Sequence, residues 1–348
     1  MSFDPALFSY DPCNALLNSR FPEISILAAH LTHRDDRDMA EALYQVPRVR
    51  KIVQKQRPDG SWKYPGSGQP EARPVEDYDQ VETFRMLSIL VQKYRQDRRN
   101  PAVARAAEFI FSRQSEAGDL RGIYGNQYTP NYTGALLALL VDAGYGEDTR
   151  ALKVFDWLAG MRQEDGGWAI PMLTIGRGFD LTTLAADPLE PDRSKPFSHM
   201  VTGMVLRAYA AHSRLSRAPE AQTAGELLAG RLFREDAYSG RSTVEFWLRF
   251  SFPFWFTDLL SALDSLALLG FKSSHPQVRA GLDWFQKQQH ADGLWRVTLL
   301  RSGGRKLVSE QNEWITLKIC EVVSRLHQND LGVSDADDRR RTIPADAG

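Results

Sequence analysis

Two kinds of segment alternate along the chain. In the first, apolar residues recur every three or four positions among charged ones: VPRVRKIVQKQ (46–56), VARAAEFIFSRQ (103–114), RALKVFDWLAGMRQ (150–163) and VRAGLDWFQKQQ (278–289). That spacing predicts amphipathic helices with one face on a core. The second kind is apolar nearly all round: DQVETFRMLSILVQKY (79–94), PNYTGALLALLVDAGY (130–145), SHMVTGMVLRAYAAHS (198–213), WFTDLLSALDSLALLG (255–270) and NEWITLKICEVVSRL (312–326). Such helices belong deeper in the molecule. They align on a threonine: Thr83, Thr133, Thr202, Thr257 and Thr316. PEISILAAHL (22–31) reads as a divergent sixth member, and a degenerate outer helix falls near 219–234.

A short loop pattern ends each amphipathic segment. It reads QRPDGSW at 56–62, QEDGGW at 163–168 and QHADGLW at 289–295, with QSEAGDL at 114–120 as a weaker copy. The Gly suits a tight or left-handed exit from a helix C-terminus. Outer helices alternating with inner ones predict an all-α, (α/α)6-type toroid of repeated helical hairpins, an inner barrel wrapped by outer helices. An open solenoid of helix pairs is the competing geometry. The predicted layout is an N-terminal lead over 1–21, a toroid domain over 22–330 and a flexible polar tail over 331–348.

The Gln-x3-Gly-x-Trp signature, best in RAGLDWFQKQQHADGLW (279–295), resembles the QW motif of the squalene cyclase and protein prenyltransferase α-toroid superfamily. RAAEFIFSRQSEAGDL (105–120) matches all but its last position. In that superfamily the Gln caps a helix end and the Trp packs over it, which implies a stabilising role. The resemblance covers most of residues 40–328 and implies the fold more strongly than any activity, since fold and function separate.

Composition narrows the classes. Hydrophobic residues make up 43% and charged ones 25% of the 348 residues, enough for a sizeable core. With 43 basic and 44 acidic residues the net charge is −1, which gives no electrostatic reason to expect nucleic acid. Two cysteines, Cys13 and Cys320, make neither a disulfide framework nor a multi-thiolate zinc site. No His stands at a ligand spacing from Cys320, so no metal and no cofactor is expected. The start of the chain lacks the pattern of a signal peptide, and no run approaches the ~20 apolar residues of a membrane span. A cytoplasmic location is the default expectation.

The resemblance implies where chemistry would sit. Class II cyclases of the superfamily protonate an alkene with an Asp-x-Asp-Asp motif, which needs a protonated carboxyl in a dry pocket. Here the matching stretch is Asp77-Tyr78-Asp79-Gln80, followed by Glu82, with Gln80 in place of the last Asp. Asp77, Asp79 and Glu82 are therefore the catalytic candidates. The competing reading is helix capping, because Asp79 aligns with Thr129, Ser198 and Asn312 four residues before the shared Thr. Asp335-Ala336-Asp337-Asp338 matches the motif but falls in the polar tail, and Asp35 to Asp38 reads as a helix start.

An aromatic run, FWLRFSFPFWF (246–256), provides Trp247, Phe254, Trp255 and Phe256. Together with Tyr78, Tyr128, Tyr132, His199, Glu313 and Trp314, all near inner-helix starts, these are the substrate-binding candidates. An aromatic wall suits carbocations and long apolar ligands. Ordinary core packing and contact with a membrane surface are its rivals. The basic stretch Arg301 to Lys306 is either a diphosphate contact or a solvated hairpin. The expected function is thus a terpenoid-cyclase-like protein that binds or cyclises an isoprenoid. A non-catalytic lipid- or partner-binding toroid and a carbohydrate hydrolase or lyase, with Glu82 facing Glu313, stay open. So do a peripheral membrane contact and a second subunit that completes the site.

Overall fold

A computed structural model describes residues 3–34, 38–66, 75–238, 243–301 and 304–332. Among them, eleven longer helices follow one another: α1 (Pro22–Leu31), α2 (Pro47–Gln54), α3 (Tyr78–Ser88), α4 (Pro101–Phe111), α5 (Pro130–Leu140), α6 (Thr149–Gly160), α7 (His199–Ala211), α8 (Pro219–Gly230), α9 (Leu259–Leu268), α10 (Pro276–Gln288) and α11 (Arg305–Asp330). Short turns of helix fill the connections, and the described residues hold only isolated β-bridges.

Local sequence sets many of the helix starts. Proline occupies the first turn of α1, α2, α4, α5, α8 and α10, where its missing N–H costs nothing. Asn100, Asp148 and Ser198 accept backbone N–H bonds as caps of α4, α6 and α7. Asp258 and Ser261 form a reciprocal capping box on α9.

The odd-numbered helices form an inner ring. Every residue of α5 from Pro130 to Leu140 is buried, whereas α10 buries only Val278, Gly281 and Phe285. Neighbouring inner helices touch in the order α3, α5, α7, α9, α11, α1. Gly134 lets α5 approach α7 closely, because a Cβ there would fall 2.6 Å from Val205 Cα. The circle closes where Tyr94, just past α3, places its hydroxyl 3.4 Å from Glu23 of α1. In this order α3 and α9 stand opposite each other. Even-numbered helices pack outside.

The recurring loops tie the two layers together. Gln56 Nε2 donates to the carbonyls of Gly60 (3.0 Å) and Ala102 (2.7 Å), the latter at the start of the next outer helix. Gln114 repeats this with Gly118 (3.1 Å) and Arg150 (2.9 Å), even though its loop lacks the Trp. Gln289 bonds Gly293 and, at 2.6 Å, Tyr10 of the N-terminal lead. The indole N–H groups of Trp62, Trp168 and Trp295 reach Ile52, Leu158 and Phe285 carbonyls at 2.8, 2.7 and 2.7 Å. Their backbone N–H groups donate to Thr83, Thr202 and Thr316 Oγ1 at 3.1, 2.9 and 3.0 Å. Three of the five aligned threonines are therefore acceptors for the tryptophan loops. Gly60 has φ 88°, and a Cβ there would lie 2.1 Å from Arg105 O, so only glycine fits.

Three alignments come out differently. Thr257 precedes α9 and bonds Met200 O at 2.6 Å, since the repeat before it has no Trp loop to accept. Asp77 rather than Asp79 caps α3, taking the Gln80 N–H at 2.9 Å and leaving Asp79 inside the first turn. Asn312 lies within α11, which starts at Arg305 because no Gly or Pro interrupts it. The tail carrying Asp335 to Asp338 lies outside the described residues, as do Asp35, Asp36, Ser302 and Gly303.

Candidate functional site

The centre of the ring is occupied by the chain itself. Residues 250–258 form a strap. It is anchored at one end by backbone bonds of Phe250 with Thr298 and Leu300 (2.9 and 2.8 Å) and runs at the other into the Asp258 cap of α9. In between, the Phe254 N–H donates to Gln92 Oε1 at 2.9 Å. Gln92 follows α3, on the opposite side of the ring from α9, so this bond spans the interior.

Aromatic rings converge on the strap from several helices. Trp255 lies 5.0 Å from Phe84 of α3, which meets Tyr132 of α5 edge-on at 6.0 Å. Phe254 touches Phe252 at 5.3 Å, and Phe252 touches Trp314 of α11 at 6.0 Å. Two sets of rings thus meet the strap, Tyr132, Phe84 and Trp255 in one and Trp314, Phe252 and Phe254 in the other, joined only through the neighbouring residues Phe254 and Trp255. Offset and edge-on contacts of this kind add to the burial of large apolar surfaces.

Below the cluster lies charge. Lys318 Nζ sits 2.9 Å from Asp264 and 3.2 Å from Glu321, and Arg325 sits 3.3 Å from Asp264. Arg95 pairs with Glu321. Burial would raise the Glu321 carboxyl, but Arg95, Lys318 and Arg325 outweigh it and hold it down at about 2. On the far side of Trp314, Lys93 lies over the indole at 4.8 Å and 3.6 Å from Glu310. Burial pushes the Lys93 ammonium down to about 7.

Arg207 of α7 differs from these cations. It is buried, and its partners are neutral: the carbonyls of Trp255 (3.3 Å) and Phe256 (2.5 Å) on the strap, and Ser261 Oγ at 3.5 Å. Its Nε has no partner. Asp258 and Asp264 act on it only from a distance, and burial pushes the guanidinium down to about 10.

At the mouth, His199 stacks on Trp247 with centroids 4.5 Å apart. Its Nδ1 lies 3.3 Å from Asp236, whose carboxylate also accepts Ser198 Oγ–H (2.8 Å) and Met200 N–H (3.0 Å). Burial pushes the imidazole down, against the pull of Asp236. A small cleft, partly open to solvent, is lined by His199, Phe246, Arg249, Phe256 and Asp258. Burial pushes the Asp258 carboxyl up to about 6.

The remaining candidates lie elsewhere on the rim. Asp77 accepts from Arg113 Nε at 3.0 Å, Asp79 from Arg57 at 2.6 Å and Tyr64 N–H at 2.8 Å, and Glu82 is held bidentately by Arg85 at 2.6 and 2.8 Å. Tyr78 packs on Tyr64, and Tyr128 packs on Trp157 of outer helix α6. Glu313 takes hydroxyls from Ser19 and Ser309. Near Asp77, Gln80 is buried with both amide atoms unpartnered, and Thr129 Oγ1 and Asn131 Oδ1 on α5 are likewise unpartnered. Orphaned buried polar atoms cost about 1–3 kcal/mol each unless water or a ligand meets them.

Sequence reasoning missed Gln92, Arg207, Asp236 and Asp258. Arg207 carried a signal, a lone cation in the apolar run MVTGMVLRAYAA. Asp236 carried none, since nothing local links it to His199.

No protein-family model matches the sequence, and no curated protein does. Solved structures do. One is a protein from Actinoplanes, with 15% identity over 83% of this chain and 88% of that chain, TM-score 0.42. Another is a variant of the type II terpene cyclase MstE from Scytonema in complex with geranylgeranyl dihydroxybenzoate, with 13% identity over 92% of this chain and 86% of that one, TM-score 0.41. A second MstE variant, in complex with merosterolic acid A, has 14% identity over 89% and 100%, TM-score 0.34. Likeness at this level transfers neither activity nor site residues.

Proposed function

We propose that this protein binds an elongated apolar molecule of the isoprenoid class at the centre of its helical ring, in place of the 250–258 strap. The observation that carries the proposal is that aromatic rings from three inner helices, Phe84, Tyr132 and Trp314, pack on the rings of the strap residues Trp255 and Phe252, with Phe254 between them in the chain. A folded chain usually fills such a volume with side chains fixed on its own helices. Here much of the filling comes from a loop that one side-chain bond pins to the far wall. With the strap withdrawn, an aromatic cavity opens of the kind that takes long apolar ligands and stabilises cations. The loop signature that resembles the QW motif supports the same class.

Cyclisation is the finer form of this proposal. Its acid candidates are Asp77, Asp79 and Glu82, and entry of substrate would have to open their bonds to Arg113, Arg57 and Arg85. The test is incubation with farnesyl and geranylgeranyl alcohols and diphosphates, followed by native mass spectrometry and gas chromatography of products. Bound isoprenoid is the expected result, and a cyclic product lost in Asp79→Asn would establish turnover. Absence of any bound isoprenoid would overturn the proposal.

A further inference from the structure

We infer that the interior site takes an amphipath with an anionic head, a phosphate or carboxylate, and that Arg207 is the residue that receives the head. This inference rests on the reading that an apolar ligand replaces the strap, and adds the chemistry of the ligand's polar end.

Cations in the interior of this molecule are held by carboxylates. Lys93, Arg95, Lys318 and Arg325 each sit within ion-pairing distance of a carboxylate. Arg207, just as deeply placed, has no carboxylate within that distance among the described residues. A buried charge left without a counter-ion is costly, and proteins keep one mainly where something else supplies the opposite charge. What supplies it in the free protein is the negative end of two backbone dipoles, the carbonyls of Trp255 and Phe256. Both belong to the strap.

The guanidinium has spare capacity. It carries five N–H donors in a planar fork that fits a two-oxygen anion, and its Nε donor is unused. Two carbonyl oxygens from adjacent residues, each met by one terminal nitrogen, present the fork with a pair of acceptors much as one phosphate or carboxylate would. The strap therefore stands where a ligand would stand. Its carbonyls occupy the place of the head. The Phe254 ring, 5.4 Å from the Arg207 guanidinium and 5.6 Å from Lys318 Nζ, occupies the place of the apolar body next to it.

The groups that face Arg207 from neighbouring elements are consistent with this. Asp258 and Asp264 of the α9 region are the carboxylates that act on it at a distance. Asp264 is already engaged by Lys318 and Arg325. Asp258 is engaged by the N–H groups of Ser261 and Ser251 at 2.8 and 3.3 Å. When the strap leaves, Asp264 stays with its own cations and Asp258 stays with the Ser261 N–H at the start of α9. An incoming anion would do so, and would gain charge-assisted bonds in a dry interior where they are strong.

The experiment is a tryptophan-fluorescence titration of the full chain with farnesyl monophosphate and with farnesol, two probes of equal apolar length. Wild type is expected to bind the phosphate about tenfold or more tightly, the value of one charge-assisted pair. Arg207→Met is expected to bring the phosphate to within about twofold of farnesol and, because it also releases the two strap carbonyls, to leave farnesol binding no weaker than in wild type. If circular dichroism shows that Arg207→Met does not fold, Arg207→Lys decides. A point charge without the fork should cut the phosphate preference about threefold or more. Farnesol and farnesyl phosphate binding equally to wild type, or a phosphate preference untouched by the Arg207 variants, would overturn the inference alone. Binding of neither probe would overturn the apolar reading along with it. Dodecanoate against dodecanol then distinguishes a carboxylate head from a phosphate head.

Discussion

The outer shell and the ring interior of this protein are built on different plans. Outside, one small device recurs. A Gln side chain closes its own loop and reaches a backbone carbonyl beyond it, while a Trp indole bonds the carbonyl ten residues back. The indole bond spans ten residues in every Trp copy, and the Gln56, Gln114 and Gln289 copies repeat the Gln pattern, while Gln163 reaches Asp192 and Lys195 instead. Inside, nothing recurs. Gln92 meets Phe254 across 162 positions, and Arg95 meets Glu321 across 226. The contrast separates what makes any such ring stand from what makes this ring particular. Repeated bonds hold the scaffold, and bonds made once shape the centre.

Substitutions can break that contrast at either end. The largest effect is expected outside, where Trp168→Ala removes a fully buried indole, its bond to Leu158 O and its cover over the loop. The expected loss is about 3–5 kcal/mol in urea unfolding. Inside, Glu321→Gln leaves Arg95, Lys318 and Arg325 short of one negative charge. Asp264 still serves two of them, so the expected loss is roughly 3 kcal/mol, the lower end for a broken buried pair. The pH profile sharpens this. The folded Glu321 carboxyl titrates near 2, below the ordinary 4.5, so its contribution is fully present above about 4.5 and fades as pH falls toward 2. Wild type should lose that stability in this window, and Glu321→Gln should show a flatter acid limb.

The smallest effect on stability, and the most telling for function, is expected from Gln92→Leu. One hydrogen bond from the strap is lost at a cost of about 1 kcal/mol. Because the free protein must release that bond before a ligand enters, farnesol affinity should rise by roughly fivefold. An unchanged or weaker affinity would show that the strap and the ligand do not compete.

How much of this was legible beforehand follows the same division. The alternation of amphipathic and apolar helices, the sixth inner member at 22–31 and the Trp loops could be read because their signals are periodic or local. The exceptions arose where context intervened. Thr257 aligned by sequence but lacks a Trp loop to serve, and Asn312 aligned as a cap but is absorbed into a helix that nothing interrupts. The aromatic run at 246–256 was visible as composition, but its path was not. No local rule says that Phe254 crosses the ring to Gln92, or that Trp247 leaves the run to stack on His199. The pairing of His199 with Asp236 is hidden for the same reason.

The central claim is that the 250–258 strap holds the place of a ligand. Hydrogen–deuterium exchange of the strap amides, with and without saturating farnesol, tests it most directly. The Phe254 amide, bonded only to Gln92, should be protected in the free protein and lose that protection when ligand binds, while the amides of Trp62, Trp168 and Trp295, held by their threonines, stay unchanged. Protection of the strap that rises or stays constant at saturating ligand would contradict the claim and place the ligand elsewhere.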